Sequence, residues 1–558
     1  MAEGKSDGVK MPTITISYRD LCKLLHMKVG LPKLRERLSM LGVEVDEVVG
    51  DELKLEITHN RPDLLSTEGV ARVLKGFLGI EAGLPSYKLR NSGITVDVYS
   101  STKKVRPYIV GGVVENVKLT DASVAQLMQI QDKLHETLGR NRRKVAIGIH
   151  DLDKLHPPFR YTTVAPKGIK FVPLDLDIEL TPARILQEHP KGVEYADLLR
   201  DFTRYPLIID SKKEVLSMPP IINGQLTRVT EKTRRLFIES TGTDELALKQ
   251  ALTILMTGFA ERGFKLGSIT IKYPNRRIRA PELKTSRSRL NMQTANETIG
   301  LNLKPREVAS IMQRMRFGVA GTKGNVMTLL VPPYRTDIMH EVDLIEDLAI
   351  GYGYDRLKPT LPKVVTVGER HPIEALSDKT RRVLTGLGFM ETMNFTLTNP
   401  HTNFELMQNS GEAATIANPI SEEYTILRTW LMPCLMAVLR ANKRYPLPQR
   451  VFEVGDVVLL DKEAETGARN VRRVTAAVIG DEGNLTYIKA VAEALLRELG
   501  IAWEVKPIDH PSFLGGRAAE LIAGGRRLGV VGELHPEVIL NFELEHPVAA
   551  FEFDLPIG

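Results

Sequence analysis

Cysteine is nearly missing from this 558-residue chain: Cys22 and Cys434 are the two it has, and they lie far apart. Two isolated thiols make neither a disulfide framework nor a metal-ligand pattern, and they fit a reducing cytoplasm. Tryptophan is as scarce, at 2 residues, and aromatic residues reach only 6%. No stretch approaches the roughly 18 uninterrupted apolar residues of a membrane span. The opening MAEGKSDGVK has no apolar segment, so it reads as a disordered leader and not as a signal peptide. No fixed-period repeat is visible.

What is present is ordinary globular material, 43% hydrophobic and 26% charged, which excludes wholesale disorder. The length exceeds what one core supports and suggests roughly three to five domains. A net charge of +6 leans weakly towards nucleic acid. Its placement matters more. The cations cluster in GRNRRK (139–144), YPNRRIR (273–279) and DKTRRVL (378–384). Each cluster reads either as solvated charge near a helix C-terminus or as a phosphate contact.

Four blocks follow from the patterning, at 1–88, 89–272, 273–362 and 363–558. The first holds a strand (TITISY), two short amphipathic helices and a second strand (LKLEIT). After it, Asp63 is placed to cap a helix whose apolar stripe is Val70, Val73, Leu74, Phe77 and Leu78. The second block alternates strands and helices, and strands outnumber helices. The third has two helices, a hairpin-like strand and a helix rich in acid. The fourth, helix then several strands, suggests an antiparallel sheet with helices packed on it. The fold class is therefore α+β, in several domains.

The acidic helix lies in PPYRTDIMHEVDLIEDLAIGYGYD. Asp337 precedes it, and Asp343, Glu346 and Asp347 fall at i, i+3 and i+4, which places three carboxylates on one face. Oxygen ligands without His or Cys favour a hard cation such as Mg²⁺. A solvated acidic face, or salt bridges, explains the same spacing. Glu341 and Asp355 are expected to face solvent.

Several stretches together resemble the β subunit of phenylalanyl-tRNA synthetase in its archaeal and eukaryotic form. They are NRPDLLSTEGVARVL, KLHETLGRNRRKVAIGIHDLDKL, MPPIING with FIESTGTD, PPYRTDIMHEVDLIEDLAIGYGYD, and LRTWLMPCLMAVLRANK with FEVGDVV. They occur in the family's order from about residue 13 onwards. The resemblance implies an α2β2 tetramer with an α subunit that binds ATP and phenylalanine and charges tRNA(Phe), in the cytoplasm and off the membrane. It implies a structural Mg²⁺ at Asp337, Asp343, Glu346 and Asp347, at the contact with α. It also implies an α/β editing domain at 89–272 that hydrolyses Tyr-tRNA(Phe), because an apolar pocket that merely tolerates a hydroxyl discriminates only about a hundredfold.

The editing candidates are Ser217 and Asn223 in SMPPIING and Glu239 in FIESTGTD. Glu239 and Asn223 could select the phenol or orient a water. Against that, Asn223-Gly224 is also a hairpin-turn signal, and Glu239 could be a surface charge on a strand. His150 reads as a satisfied structural histidine, and Asp244 as a helix cap. The last block resembles a class II synthetase core that has lost catalysis. Arg450 stands at a strand, but no Gly-rich helix entry with Glu-Arg follows, and Gly515, Gly516 and Arg517 lack an acidic partner. LRTWLMPCLMAVLRANK, with Trp430, Leu431, Leu435, Val438 and Leu439, reads either as a helix at the α interface or as a core helix. Bacterial-type subunits are longer, so anticodon reading is not assigned to this chain. Two rivals remain: a metal-dependent phosphoesterase or nuclease built on the acidic helix, and an architectural subunit without editing. The first needs carboxylates converging from separate segments, and these cluster together.

Overall fold

The structure, a computed structural model, describes residues 11–361 and 366–555. The leader expected at 1–10 lies outside them. The chain is a mixed α+β protein in two compact units, Met1–Thr360 and Leu361–Gly558.

In the first unit the opening strands alternate as their residues require. Ile14 and Ile16 turn inward from Thr13–Ser17, and Leu53, Leu55 and Ile57 from Glu52–Ile57. Glu52–Ile57 is the middle strand, antiparallel to Thr13–Ser17 on one side and Val43–Val49 on the other. On the helix Thr67–Phe77, Val70, Val73, Leu74 and Phe77 are buried, and Leu78 at its C-cap packs partly buried against the same core.

Ser66, not Asp63, caps that helix: its Oγ accepts the Gly69 N–H at 3.2 Å. Asp63 turns inside, where Arg61 grips both carboxylate oxygens at 2.8 and 3.0 Å. A charge-assisted pair with an arginine two residues away outcompetes a cap hydrogen bond. Burial opposes ionisation of Asp63, but Arg61 and Arg335 outweigh it and hold the carboxyl below its usual range.

The largest sheet has ten strands. Its path runs Ile222–Asn223, Val215–Met218, Tyr205–Ile209, Phe159–Val164, Leu89–Val98, Lys265–Lys272, Tyr108–Glu115, Arg235–Gly242, Val145–Asp151, with Arg277–Ala280 beside Lys265–Lys272. Leu89–Val98 pairs in parallel with both neighbours, and the remaining pairs are antiparallel. The sheet curls until its two ends meet: the Asn223 side-chain amide lies 3.5 Å from Ile149 O. A third, three-stranded sheet centres on Val326–Val331 and precedes the acidic helix Glu341–Tyr352.

The second unit is built on a seven-stranded sheet, Met390–Glu391, Gln449–Leu460, Ala468–Ile479, Val548–Asp554, Arg526–Leu534, Phe513–Ala523, Glu504–Pro507. The first pair is parallel and the rest antiparallel. Both faces are covered. Val474, Ala476 and Val478 pack under the helices Pro372–Gly386 and Leu485–Leu499, while Ala477 and Ile479 face Met432–Ala441. Trp430, Leu431, Leu435 and Leu439 are buried and Val438 is half-buried, so this last helix is core. Of the two readings of its sequence, packing within the chain accounts for its apolar face.

Candidate functional site

The meeting of the two sheet ends leaves a cavity of about 260 Å³. Leu127, Ile147, Ile149, Pro219 and Ile221 give it apolar walls, and Ser217, Asn223, Thr227 and Glu239 bring polar atoms to it. The three residues singled out in the sequence, Ser217, Asn223 and Glu239, are therefore neighbours in space.

Each is held by a local reason. Ser217 and Asn223 sit opposite each other across the short hairpin Val215–Met218 and Ile222–Asn223. The turn of that hairpin is Pro219-Pro220-Ile221, so Asn223-Gly224 is not the turn that its sequence signals. Gly224 has φ −77° and ψ 144°, an extended conformation. Glu239 is no surface charge either. It lies on Arg235–Gly242, between two strands that offer it glycines, Gly111 on one side and Gly148 on the other. A Cβ on Gly148 would stand 2.4 Å from Glu239 Oε1, so glycine there is what gives the side chain room.

Glu239 is 2% exposed. Ser217 Oγ donates to its Oε1 at 3.1 Å, and Oε2 is buried without a protein partner. An unpaired buried carboxylate oxygen is costly, and at a cavity wall it marks where a donor is wanted. His150, fully buried, lies behind it, with Nε2 3.9 Å from Oε1 and Nδ1 2.8 Å from Thr227 Oγ1. The sequence signal for His150 was its spacing. Gly148 and His150 lie on one face of the strand Val145–Asp151, and Gly148 is the register partner of Glu239. Asp244 is a cap, as expected: its Oδ1 accepts the Ala247 N–H at 3.1 Å.

The basic segment GRNRRK divides. Arg142 turns inward, donating to Ile221 O at 2.8 Å and Pro220 O at 3.2 Å, with its guanidinium 4.3 Å from the Tyr195 ring. Lys144 pairs with Asp244 at 3.0 Å. Arg140 and Arg143 are exposed. Arg140, Asn141 and Arg142 have φ of 47°, 53° and 65°, so three successive side-chain-bearing residues occupy the left-handed region. The Arg142 contacts with the hairpin hold that turn. His135, at the end of the preceding helix, accepts the Ile147 N–H at 2.8 Å through Nε2, and burial pushes its pKa down to about 4.

The acidic cluster carries its own cation, which sequence spacing did not reveal. Arg335 Nη2 donates to Asp337 and to Asp347 at 2.6 Å each, and its Nε to Asp337 at 2.9 Å. Asp343 accepts the backbone N–H groups of Met339 at 2.7 Å and His340 at 2.6 Å, closing the helix start. The shared face is thus split: Asp347 is buried against Arg335, Asp343 is half-buried and Glu346 is exposed. Burial pushes the Asp347 carboxyl up while Arg335 opposes the shift. Burial and the carboxylates of Asp347, Asp337 and Asp343 raise Glu346. Glu341 is drawn in to accept the Asn291 N–H, against the expectation that it faces solvent, whereas Asp355 is exposed. Of Asp337, Asp343, Glu346 and Asp347, two are held by an arginine and one by backbone, and no group of three or more metal-ligating side chains is found among the described residues. Among the same residues, no helix is long and apolar enough to cross a membrane.

Comparison with known proteins bears on the whole chain. Its segments match family profiles described as the Phe-tRNA synthetase beta subunit B1 domain (11–80), the B3/4 domain (107–262), the tRNA synthetase B5 domain (288–354) and the phenylalanyl tRNA synthetase beta chain CLM domain (357–555). A phenylalanine–tRNA ligase beta subunit from Methanothrix thermoacetophila is 43% identical over 98% of this chain and 100% of its own length. One from Archaeoglobus fulgidus is 43% identical over 98% of both. The crystal structure of an N-terminal fragment of the Pyrococcus horikoshii phenylalanyl-tRNA synthetase beta subunit superimposes with a TM-score of 0.60 at 39% identity, covering 62% of this chain and 100% of the fragment. The cavity bearing Ser217, Asn223 and Glu239 lies wholly within the B3/4 match, and with relatives this similar over nearly its full length the chain belongs to the phenylalanine–tRNA ligase β-subunit family, archaeal in type.

Proposed function

We propose that this chain, working with an α subunit that charges tRNA(Phe), removes tyrosine from mischarged Tyr-tRNA(Phe) in the cavity at the meeting sheet ends. The observation that carries this reading is Glu239 Oε2, a buried acceptor without a partner beside apolar walls. An aromatic ring fits between Leu127, Ile147, Ile149 and Pro219, and a phenol hydroxyl donates to Oε2. Phenylalanine fills the same walls and leaves Oε2 unpaired. That difference is worth about 1–3 kcal/mol, or roughly fivefold to more than a hundredfold.

Hydrolysis then needs a water placed at the ester carbonyl. The water oxygen bonds to the carbonyl carbon, the bond to the ribose oxygen breaks, and the released proton goes to the terminal hydroxyl of the tRNA. An activated aminoacyl ester needs positioning and oxyanion contacts more than a strong base. Half-buried Asn223, at the cavity edge, is suited to orient water or ester, and Ser217 holds Glu239 in place. Exposed Arg140 and Arg143 supply phosphate contacts to the acceptor arm.

The second unit we read as a class II-like core without aminoacylation chemistry. The polar groups within its sheet are engaged with one another. Arg428 donates to Glu453 at 2.7 Å, and Glu552 accepts the Leu431 and Met432 N–H groups and Arg473. Arg450 is paired with Glu482 at 2.6 Å.

The test is hydrolysis of Tyr-tRNA(Phe) by the αβ complex, with Asn223→Ala and Glu239→Ala alongside. Rapid loss of tyrosine, slowed by either substitution while Phe-tRNA(Phe) is spared, supports the assignment. A complex that charges phenylalanine yet leaves Tyr-tRNA(Phe) intact refutes it and leaves an architectural subunit.

A further inference from the structure

The basic cluster YPNRRIR has no part in the cavity, and the structure divides it. Arg276 pairs with Glu245 at 2.7 Å, and its guanidinium lies 4.7 Å from the Tyr273 ring. Arg277 and Arg279 stand instead on the short strand Arg277–Ala280, both exposed. Register places them in a larger pattern. Arg160, Asp97, Lys272 and Arg277 are opposite one another in a row across four adjacent strands of the largest sheet. Arg279 lies one step along, opposite Thr270, which is itself opposite Thr95. The alternate residues Val96, Val98, Phe159, Tyr161 and Ile271 are buried, so the row belongs to the face turned to solvent.

That face carries a cost that an anion would relieve. Lys272 and Arg277, like charges, are directly opposed on antiparallel strands, a placement that destabilises a sheet. The one carboxylate of the row, Asp97, lies 3.7 Å from Lys272, and Arg279 donates to Ser268 Oγ at 2.7 Å. Among the described residues no ion pair engages Arg160, Arg277 or Arg279. Lys103 and Lys104, exposed on the turn Ser100–Lys104, extend the charge. Ser101 of that turn has its Oγ 3.5 Å from Thr162 Oγ1, two residues beyond Arg160 on the same face. Tyr99 follows Asp97 by two residues in an extended conformation and is 47% exposed, which sets an aromatic ring among the cations.

We propose that this face binds the phosphate backbone of RNA, at a site separate from the editing cavity. Arg160, Lys272, Arg277 and Arg279 contact phosphates, and Tyr99 stacks on an unpaired base. An acidic protein segment would also answer the cations, but the exposed ring beside them favours RNA. The face is not the acceptor-arm contact. Arg140 and Arg143 precede Val145–Asp151, one end of the sheet path, whereas the row crosses three strands at its middle. The occupant is therefore a second part of the bound tRNA or another RNA, and the inference stands apart from the editing reading.

The test is a salt titration of RNA binding by the full αβ complex, followed by fluorescence anisotropy with labelled tRNA(Phe) and with an unrelated hairpin RNA bearing a single-stranded tail. The variants are the triple Arg160→Gln, Arg277→Gln, Arg279→Gln, and singly Asp97→Asn and Tyr99→Ala. All these side chains lie at the surface, and co-elution with α reports assembly. The triple variant is expected to bind about tenfold or more weakly, with the slope of log affinity against log salt flattened by about 2. Asp97→Asn removes a repelled charge and should tighten binding about threefold. Tyr99→Ala should weaken it about fivefold or more at an unchanged slope, because stacking releases no counterions. Equal losses on both RNAs mark a general backbone contact, and a loss confined to tRNA(Phe) marks a remote part of the tRNA held in the cavity; either supports the site. Wild-type affinity and slope in the triple variant, or no tightening in Asp97→Asn, overturns it. So does a triple variant that no longer co-elutes with α, since the face is then a protein contact. Unchanged binding by Tyr99→Ala overturns the choice of RNA over an acidic segment.

Discussion

Replacing Arg335 by methionine tests what holds the acidic helix in place. Arg335 is 4% exposed at its side chain, and its partners Asp347 and Asp337 are 3% and 9% exposed. Methionine keeps most of the apolar volume against the Phe317 ring, which lies 5.2 Å from the guanidinium. It removes the only cation among the described residues that touches both carboxylates. Breaking a buried pair from one side leaves an uncompensated charge and costs about 3–5 kcal/mol. A unit of roughly 350 residues unfolds with an entropy of about 2.1 cal/mol/K per residue, so about 4 kcal/mol lowers its melting temperature by about 5 °C. Scanning calorimetry of wild type and Arg335→Met in EDTA measures that shift. The companion Asp347→Asn in the Arg335→Met background is expected to recover part of it, because the stranded charge is gone. Added magnesium is expected to stabilise Arg335→Met more than wild type, since removing the guanidinium frees carboxylate oxygens of Asp337 and Asp347. A variant that melts within about 1 °C of wild type in EDTA refutes the claim that Arg335 is the cation of this cluster.

Gly148→Ala should abolish most editing while charging persists, because the added Cβ meets Glu239 Oε1 and His150 Nε2 at 2.4 and 2.7 Å; deacylation of Tyr-tRNA(Phe) reports it. Acid should weaken the first unit through His135, whose pKa falls from 6.5 unfolded to about 4 folded. The folded state binds fewer protons there, so this stability is intact above about pH 6.5 and is lost as pH falls towards 4, by about 3 kcal/mol in all. Urea midpoints at pH 7 and pH 5 for wild type and His135→Gln measure it, and the variant should show the smaller difference. Glu552→Ala strands the N–H groups of Leu431 and Met432 and one contact of Arg473. It should destabilise the second unit by about 2–4 kcal/mol in calorimetry. Neutralising Arg140 and Arg143 together should weaken tRNA binding and flatten its dependence on salt by up to about 0.7–0.9 per lost phosphate contact, measured in a salt titration.

Much of the fold was legible because its signals are local. Alternation in TITIS and ELKLEI, and the 3.6-residue stripe of Val70, Val73, Leu74 and Phe77, need no knowledge of distant chain. Asp244 read correctly as a cap for the same reason. Asp63 misled because capping by position assumes no better partner, and Arg61 was two residues away with a charge to offer. The acidic helix left more open. Spacing placed three carboxylates on one face, but Arg335, eight residues before Asp343, decides which of them is buried. Asn223-Gly224 carries the local signal of a turn, yet the turn falls four residues earlier, at the prolines.

The site poses a different problem from the elements that build it. Ser217, Asn223 and Glu239 were found as residue types in two motifs, but nothing in their spacing says that opposite ends of a nine-strand path close on each other. That closure is what puts Asn223 beside Ile149 and sets His150 behind Glu239. A histidine after an apolar strand is read as satisfied because most buried histidines are, and in His150 one nitrogen is satisfied. The other is not. Two unpaired buried polar atoms on adjacent strands are a standing cost to the fold, which makes His150 Nε2 and Glu239 Oε2 poor candidates for structural groups. A chain that needed Glu239 only for stability would do better with an apolar residue there, filling the room that Gly111 and Gly148 leave. The cost is recovered when something in the cavity donates a hydrogen, and in the editing we propose a tyrosyl hydroxyl is the donor that separates the wrong amino acid from the right one.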